Sequence, residues 1–372
     1  MMMRAKLNIG CYIGQLGGGG AERVMTLLAN HFAESCGSVY LIANKRVKSE
    51  YPVSPNVKVL YLDDTVERNN IIVRNARRLL QLRKACRQNN IDCLISFMAE
   101  PNFRALVACS GLNIANIISI RNDPFTEYPG MRIKIAHWLF RRANAAVFQT
   151  SDARMVFPEL LNKSTVIYNP VDNRFFDVRP NPNSNKIVTA GRLEPQKNHG
   201  LLIDAFLRLV SKLPGYSLEI YGDGSLREQL QSKIDGLNLT DKVRLTGYTD
   251  DFARVLEDAA LFVLSSDYEG MPNALMEAMA AGVPVISTDC PCGGPRELLS
   301  DDYQDYLVPV GDTEALTNAM VSVLSSRTDD RADNTKPEER ETLRRISPAS
   351  VFSAWDELVM KVVANSKRGQ ND

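Results

Sequence analysis

Ser265-Ser266-Asp267-Tyr268-Glu269-Gly270-Met271-Pro272-Asn273-Ala274-Leu275-Met276-Glu277-Ala278-Met279-Ala280-Ala281-Gly282 decides the reading of this chain. An apolar run of strand length, Ala260 to Leu264, precedes it, and Val283 to Ser287 is another that follows. Pro272 suits the first turn of a helix, and Asn273 to Ala281 are mostly good helix formers. The order strand, loop, helix, strand is one βαβ unit of a parallel sheet. No Ser, Thr, Asp or Asn stands directly before Pro272, so the first backbone N–H groups of the helix are open to an anion, which the helix dipole favours. Glu269 falls in the loop at the strand's end, and Glu277 follows roughly 7–8 Å up the helix axis. A diphosphate at the helix end, with hydroxyl-rich groups on either side, would use all of these features.

Glu269, seven residues and Glu277 resemble the E-x7-E signature of the retaining glycosyltransferases of family 4. The words Glu-Gly-Met-Pro-Asn-Ala-Leu-Met-Glu-Ala-Met-Ala are similar to members that build bacterial surface polysaccharides and lipid-linked oligosaccharides. The resemblance implies the GT-B fold: two Rossmann-like, doubly wound α/β domains facing a central cleft, with a C-terminal helix crossing back to the first domain. It implies that Glu269 contacts the donor sugar's hydroxyls. Backbone groups of Gly270, Met271, Pro272, Asn273, Ala274 and Leu275 add to the grip, and Glu277 binds the ribose hydroxyls. Gly191-Arg192-Leu193-Glu194-Pro195-Gln196-Lys197-Asn198-His199 matches the family's Gly-Arg-x-x-x-x-Lys element. Ligands bind beyond the carboxyl ends of parallel strands, so Arg192 and Lys197 are placed to stabilise a departing nucleoside diphosphate. His199 is expected to begin the next helix, with no chemistry of its own.

Three weaker elements accompany these. Gly222 lies in Tyr221-Gly222-Asp223-Gly224-Ser225, which resembles the family's turn beside the nucleotide. Tyr248 lies in Gly247-Tyr248-Thr249, which resembles the family's segment whose backbone meets the base. Gly19 and Gly20 best match the Gly-Gly-x-Glu turn that closes over the donor diphosphate from the N-terminal domain. That glycine run is neither a dinucleotide fingerprint nor a P-loop. Pro291 to Glu297 resembles the same subgroup and is assigned only a part in shaping the site. Many family members carry a His after the fourth or fifth strand of the first domain. Here that loop reads Ser119-Ile120-Arg121-Asn122-Asp123-Pro124, and Arg121 or Asp123 is the candidate sugar contact in its place.

Strand and helix patterns alternate in both halves of the chain. Asn169-Pro170-Val171-Asp172 marks the boundary, and Val178 to Asn185 has the composition of a linker. The expected domains are 1–170, binding the acceptor; 171–347, binding the nucleotide sugar; and 348–372, a helix returning to the first domain. Val351, Phe352, Trp355, Leu358 and Val362 recur at helical spacing in that last segment. Residues 327–341 are charged and poor in apolar side chains, and a mobile or weakly helical excursion is expected there.

The 372 residues are 44% hydrophobic and 24% charged, as in soluble globular proteins. No apolar run reaches bilayer-spanning length, and the N-terminus is too short and polar for a signal peptide. Seven cysteines, mostly in apolar segments, read as buried thiols of a reducing cytosol. With three histidines, no zinc spacing emerges. Net charge is zero but divided: residues 1–170 hold 22 Lys+Arg against 12 Asp+Glu, a balance of +10, which the second half offsets. The excess clusters on two helices. Asn70 to Asn89 carries Arg74, Arg77, Arg78, Arg83, Lys84 and Arg87. Met131 to Arg142 mixes Arg132, Lys134, Arg141 and Arg142 with Ile133, Ile135, Trp138, Leu139 and Phe140. Such a helix suits an anionic membrane surface; a core helix with a solvated basic face explains it equally well.

The expected function is transfer of a hexose or N-acetylhexosamine, with retention, from a nucleotide sugar (UDP-linked as first choice) to a lipid-linked or growing glycan. The expected setting is cell-surface polysaccharide biosynthesis. The expected place is the cytoplasm, with peripheral attachment to the cytoplasmic membrane as an option. In this family retention is usually explained by front-face attack, so no enzymic nucleophile is required. No Asp-x-Asp occurs in the chain, which fits a metal-independent enzyme without cofactor. The alternative is a GT-B-like, non-catalytic glycan- or nucleotide-binding subunit. An NAD-dependent oxidoreductase would need the missing fingerprint, and nucleic-acid binding would need aromatic platforms among the cations.

Overall fold

The computed structural model describes residues 7–62, 70–299, 306–326 and 341–368. It divides into two compact units, 1–169 with 351–372, and 170–350. The expectation for residues 327–341 falls almost wholly outside the described residues.

In the first unit the order is β1 (Asn8–Ile13), α1 (Gly20–Phe32), β2 (Ser38–Ala43), β3 (Val57–Tyr61), α2 (Ile71–Gln88), β4 (Cys93–Phe97), α3 (Ala99–Ala108) and β5 (Ala115–Ser119). Then come α4 (Pro124–Glu127), α5 (Met131–Phe140), β6 (Ala145–Phe148), α6 (Ser151–Met155) and β7 (Ser164–Val166). The sheet runs β3-β2-β1-β4-β5-β6-β7, all parallel. Cys11 of β1 stands opposite Leu41 of β2 on one side and Ile95 of β4 on the other. β4, β5 and β6 are buried at every position, which is why they read as unbroken apolar runs rather than alternating ones.

The second unit contains β8 (Lys186–Ala190), α7 (His199–Val210), β9 (Ser217–Tyr221), α8 (Arg227–Gly236), β10 (Val243–Gly247), α9 (Phe252–Glu257) and β11 (Leu261–Leu264). It continues through α10 (Asn273–Ala280), β12 (Val285–Thr288), α11 (Gly294–Leu299), β13 (Leu307–Val308), α12 (Thr313–Ser326) and α13 (Glu341–Ile346). Its parallel sheet runs β10-β9-β8-β11-β12-β13. Each sheet reverses its strand order once, between β1 and β4 and between β8 and β11. Such switch points open crevices beyond the strands' carboxyl ends.

The last helix, α14 (Pro348–Arg368), joins the first unit from Val351 onward. Val351, Trp355, Val359, Val362 and Val363 are buried with β1, β2 and α1 in one core. His31 of α1 stacks on Phe352 and bonds Asp356 at 3.0 Å, which fixes the helix's rotation.

Several local expectations need correction. The stretch Val178 to Asn185 is not a free linker. Asn181 N–H donates to Glu257 O, and the Ser184 hydroxyl donates to Asp258 O, so it is sewn onto the second unit. The strand expected from Val283 starts at Val285, after Gly282 at φ 73° and Pro284, which has no N–H for the ladder. Pro272 is the N-cap of α10 rather than a member of its first turn. Helix α3 begins at Ala99, with Pro101 tolerated within its first turn.

Candidate active site

The second unit's switch point brings together the two stretches that the sequence singled out. Residues 191–198 follow β8, and residues 265–272 follow β11. They are stitched to each other. Asp267 N–H donates to Gln196 O, and the Gln196 amide donates to Tyr268 O, both at 2.9 Å. Asn198 donates to Asp267 Oδ1 at 2.7 Å, and the Ser265 hydroxyl donates to Lys197 O at 2.9 Å. Asn198 holds φ 43°, ψ 46°, a left-handed conformation that Asn tolerates, and its side chain also caps α7.

These bonds set Lys197 directly against Glu269, ammonium to carboxylate. The Ser266 hydroxyl donates to the same Glu269 oxygen at 2.6 Å. Thr288, at the end of β12, donates to Ser266 O at 2.6 Å and so anchors that serine. Both members of the ion pair are largely withdrawn from water. A pair in that setting needs such extra hydrogen bonds to offset its desolvation. Arg192 stays exposed, its guanidinium 3.4 Å from Gln196 Oε1.

α10 starts with no side-chain cap, as its sequence predicts. Its approach is fixed by Gly270 and Gly294. A Cβ at Gly294 would overlap Gly270 O, so the start of α11 leans directly on the loop that carries Glu269. This gives the stretch Pro291 to Glu297 a definite part: it backs the loop. Glu277 is buried in the second turn of α10, Met271 is buried before it, and Leu275 is fully enclosed.

The Gly222 turn packs against the loop of residues 191–198. Gly222 has φ 136°, and a Cβ there would overlap Gly191 O; one at Gly224 would strike the backbone of Leu193. Glu194, which the sequence reading passed over, accepts from Ser225 N–H at 3.0 Å and Ser225 O–H at 2.8 Å, and these bonds hold its carboxyl below the usual range. Tyr248 projects from the end of β10 with 75% of its surface exposed. His199 begins α7, as expected. It is 3% exposed, and burial, aided by the Lys197 charge, pulls its imidazole down to about 4. It is therefore a neutral ring beneath the cationic loop.

In the first unit, Gly19 is the N-cap of α1 with no side-chain cap, and Gly20 is the helix's first residue. The Glu22 carboxylate folds against Gly19, where a Cβ would collide with it. Beyond β5, Arg121 and Asp123 are both engaged within the unit. Asp123 caps α4 by accepting from Thr126 N–H at 2.8 Å. The buried Arg121 guanidinium lies 4.3 Å over the Phe97 ring and donates to Asn169 and to Ser119 Oγ. Burial lowers its pKa to about 9. Arg121 Nε and Asp123 Oδ1 take no part in these bonds. Glu127, unmarked by the sequence reading, closes the loop by accepting from the N–H groups of Arg121 and Asn122 and from the Tyr128 hydroxyl. Burial pushes its carboxyl up to about 7.

The family model described as Glycosyltransferase Family 4 matches residues 18–175, and that of Glycosyl transferases group 1 matches residues 171–342. The chain belongs to the GT-B glycosyltransferases. Its two units correspond to the family's two domains in order. Among relatives, it is 27% identical over 334 residues to the N-acetylgalactosamine-N,N'-diacetylbacillosaminyl-diphospho-undecaprenol 4-alpha-N-acetylgalactosaminyltransferase of Campylobacter jejuni, covering 85% of this chain and 90% of that one. A second Campylobacter jejuni enzyme, an alpha-1,4-N-acetyl-D-galactosaminyltransferase named for a PP-undecaprenol-linked substrate, is 27% identical over 327 residues, with 86% and 89% covered. The crystal structure of Anabaena Alr3699/HepE in complex with UDP superimposes with a TM-score of 0.76 over 96% of this glycosyltransferase and 100% of that chain, at 17% identity. That likeness concerns the fold.

Proposed function

We propose that this glycosyltransferase moves a hexose or N-acetylhexosamine from a UDP-sugar to a lipid-linked diphosphate glycan in cell-surface polysaccharide biosynthesis. The anomeric configuration is retained and no metal takes part. The observation that carries the reading is the switch-point cluster: Lys197 held by Glu269, the exposed Arg192 on the same loop as Lys197, and the uncapped start of α10. The Campylobacter jejuni relatives, named for undecaprenol-diphosphate substrates, supply the acceptor class, and the UDP of the Anabaena structure supplies the donor class.

In this proposal Arg192 and Lys197 meet the diphosphate. Negative charge grows there as the sugar–phosphate bond breaks, so preset cations favour the transition state over the ground state. Backbone N–H groups of Met271, Asn273, Ala274 and Leu275 add the helix-end contribution. Glu269 orients the sugar through its hydroxyls, and Glu277 takes the ribose hydroxyls. The leaving phosphate receives the acceptor's proton on the same face, so the reaction needs no nucleophile from the protein. Gly222 and Tyr248 border the nucleotide. The acceptor belongs to the first unit, whose basic helices suit an enzyme working peripherally at the cytoplasmic membrane surface.

The test is incubation of the purified protein with a panel of nucleotide sugars and an undecaprenyl-diphosphate-linked glycan, following nucleoside diphosphate release and product anomericity. A UDP-sugar should be turned over to an α-linked product. An inverted linkage would remove the front-face mechanism, and no release from any donor would favour the non-catalytic alternative.

A further inference from the structure

Ten of the thirteen large hydrophobic side chains exposed among the described residues belong to the first unit. They concentrate on three helices that touch one another, α2 with α3 and α3 with α5. Ile71, Ile72, Val73 and Leu80 lie on α2, Val107 on α3, and Met131, Ile135 and Trp138 on α5.

α5 carries two apolar faces. Ala136, Leu139 and Phe140 are buried, with Phe140 in an aromatic cluster of Phe103, Tyr128 and Phe157. That face satisfies the core. Met131, Ile135 and Trp138 are 67%, 47% and 59% exposed and fall within about 60° of helical arc on a different side. A core helix with a merely solvated basic face does not have this second stripe. Its borders are cationic: Lys134, Arg141 and Arg142 are exposed, and Arg142 lies 4.3 Å over the Trp138 ring. Arg132 differs, since its charge is met by Glu100 at 2.8 Å.

We propose that this stripe of α5 enters the interfacial layer of an anionic bilayer, with Trp138 at headgroup depth and Lys134, Arg141 and Arg142 on the lipid phosphates. The inference rests on the membrane-held acceptor proposed above and specifies which residues are buried in lipid. Charge selects this occupant over a second copy of the chain. Neither α2 nor α5 contains an acidic residue and Glu100 of α3 is taken up by Arg132, so two copies docked by this face would set mainly cations against cations. An anionic surface pairs with them, and the indole's apolar body and polar N–H suit the interface.

The chain has two tryptophans, and Trp355 is fully buried, so emission from a bilayer quencher's reach reports Trp138. The full-length protein is mixed with phosphatidylcholine–phosphatidylglycerol vesicles, with and without brominated acyl chains, and with phosphatidylcholine alone. A blue shift and bromine quenching are expected with the anionic vesicles, and neither in Trp138→Phe. Met131→Ser with Ile135→Ser, both on exposed positions, should reduce cosedimentation by about tenfold or more. Binding without bromine quenching, undiminished binding of the double variant, or shielding of Trp138 that grows with protein concentration in the absence of lipid would each overturn the proposal. Nucleoside diphosphate release in lipid-free buffer, measured on the same samples, tests the glycosyltransferase reading separately.

Discussion

At the scale of single residues, the Lys197–Glu269 pair ties catalysis to local stability. Lys197→Ala removes a cation from the proposed diphosphate site and leaves the Glu269 carboxylate bonded to the Ser266 hydroxyl. Losing an electrostatic stabiliser of this kind costs about 3–4 kcal/mol in the barrier. Arg192→Ala, on an exposed side chain, should lower turnover comparably with little effect on folding. Lys197→Ala should in addition weaken the second unit by about 3 kcal/mol, as expected when one partner of a withdrawn pair is deleted. Turnover by both variants under conditions where circular dichroism shows them folded is the check, and near-normal rates would remove the assignment. His199 makes a separate prediction. Its folded pKa of about 4 lies below the usual 6.5, so the unfolded chain binds the extra proton between those values. The ring is neutral in both states at pH 7 and contributes no pH-linked term there. As pH falls through 6.5 toward 4 the unfolded state gains, and at pH 4.5 the loss is about 2–3 kcal/mol. Urea unfolding of wild type and His199→Leu at pH 7 and pH 4.5 should show a smaller acid loss in the variant. An equal loss in both would show that His199 is not the group responsible.

Among the elements, α11 illustrates how a segment without chemistry controls one that has it. Gly294→Ala places a methyl group onto Gly270 O, so either α11 or the Glu269 loop must shift. Overpacking of this sort costs about 1–3 kcal/mol, and here the displacement falls at the proposed donor site. Activity should therefore drop while Gly236→Ala, at the end of α8 with nothing near its Cβ position, leaves it unchanged; equal activities would show that the loop yields without consequence. The same comparison explains what the sequence made legible. Doubly wound domains followed from apolar runs alternating with helical spacing, and β4, β5 and β6 are unbroken runs because both their faces are covered. That Arg192, Lys197 and Glu269 lie in loops at strand ends was readable from the strand pattern, while their proposed roles come from the resemblance of those loops to the family's motifs. The Gln196, Asn198 and Asp267 stitches were not, since ordinary polar residues in loops gain meaning only when two loops adjoin. β13 has two residues, too few for any periodicity. The burial of His199 and the two faces of α5 depend on what tertiary packing covers, which spacing alone does not decide.

For the whole molecule, the division of charge sharpens the question of metal. Residues 171–372 hold 22 Lys+Arg against 32 Asp+Glu, a balance of −10, yet this is the half proposed to hold a nucleoside diphosphate. An anion approaching an acidic domain needs local compensation, from a bound divalent cation or from the protein's own groups. The β8–β11 switch point offers the second kind: the exposed Arg192, the ammonium of Lys197 and the uncapped start of α10. The adjacent Glu269 is engaged by Lys197 and Ser266. A bridging metal would compete with the same ammonium for that carboxylate and would leave Lys197 without its partner. Transfer should therefore continue undiminished in excess EDTA, measured as nucleoside diphosphate release from the accepted donor. Magnesium or manganese should fail to restore Lys197→Ala, because among the described residues no group of three or more His, Cys, Asp or Glu side chains is placed to hold a metal ion. Abolition of activity by chelation, with recovery on adding either metal, would instead assign the diphosphate's compensation to a bound cation and leave Lys197 the lesser task of orienting Glu269.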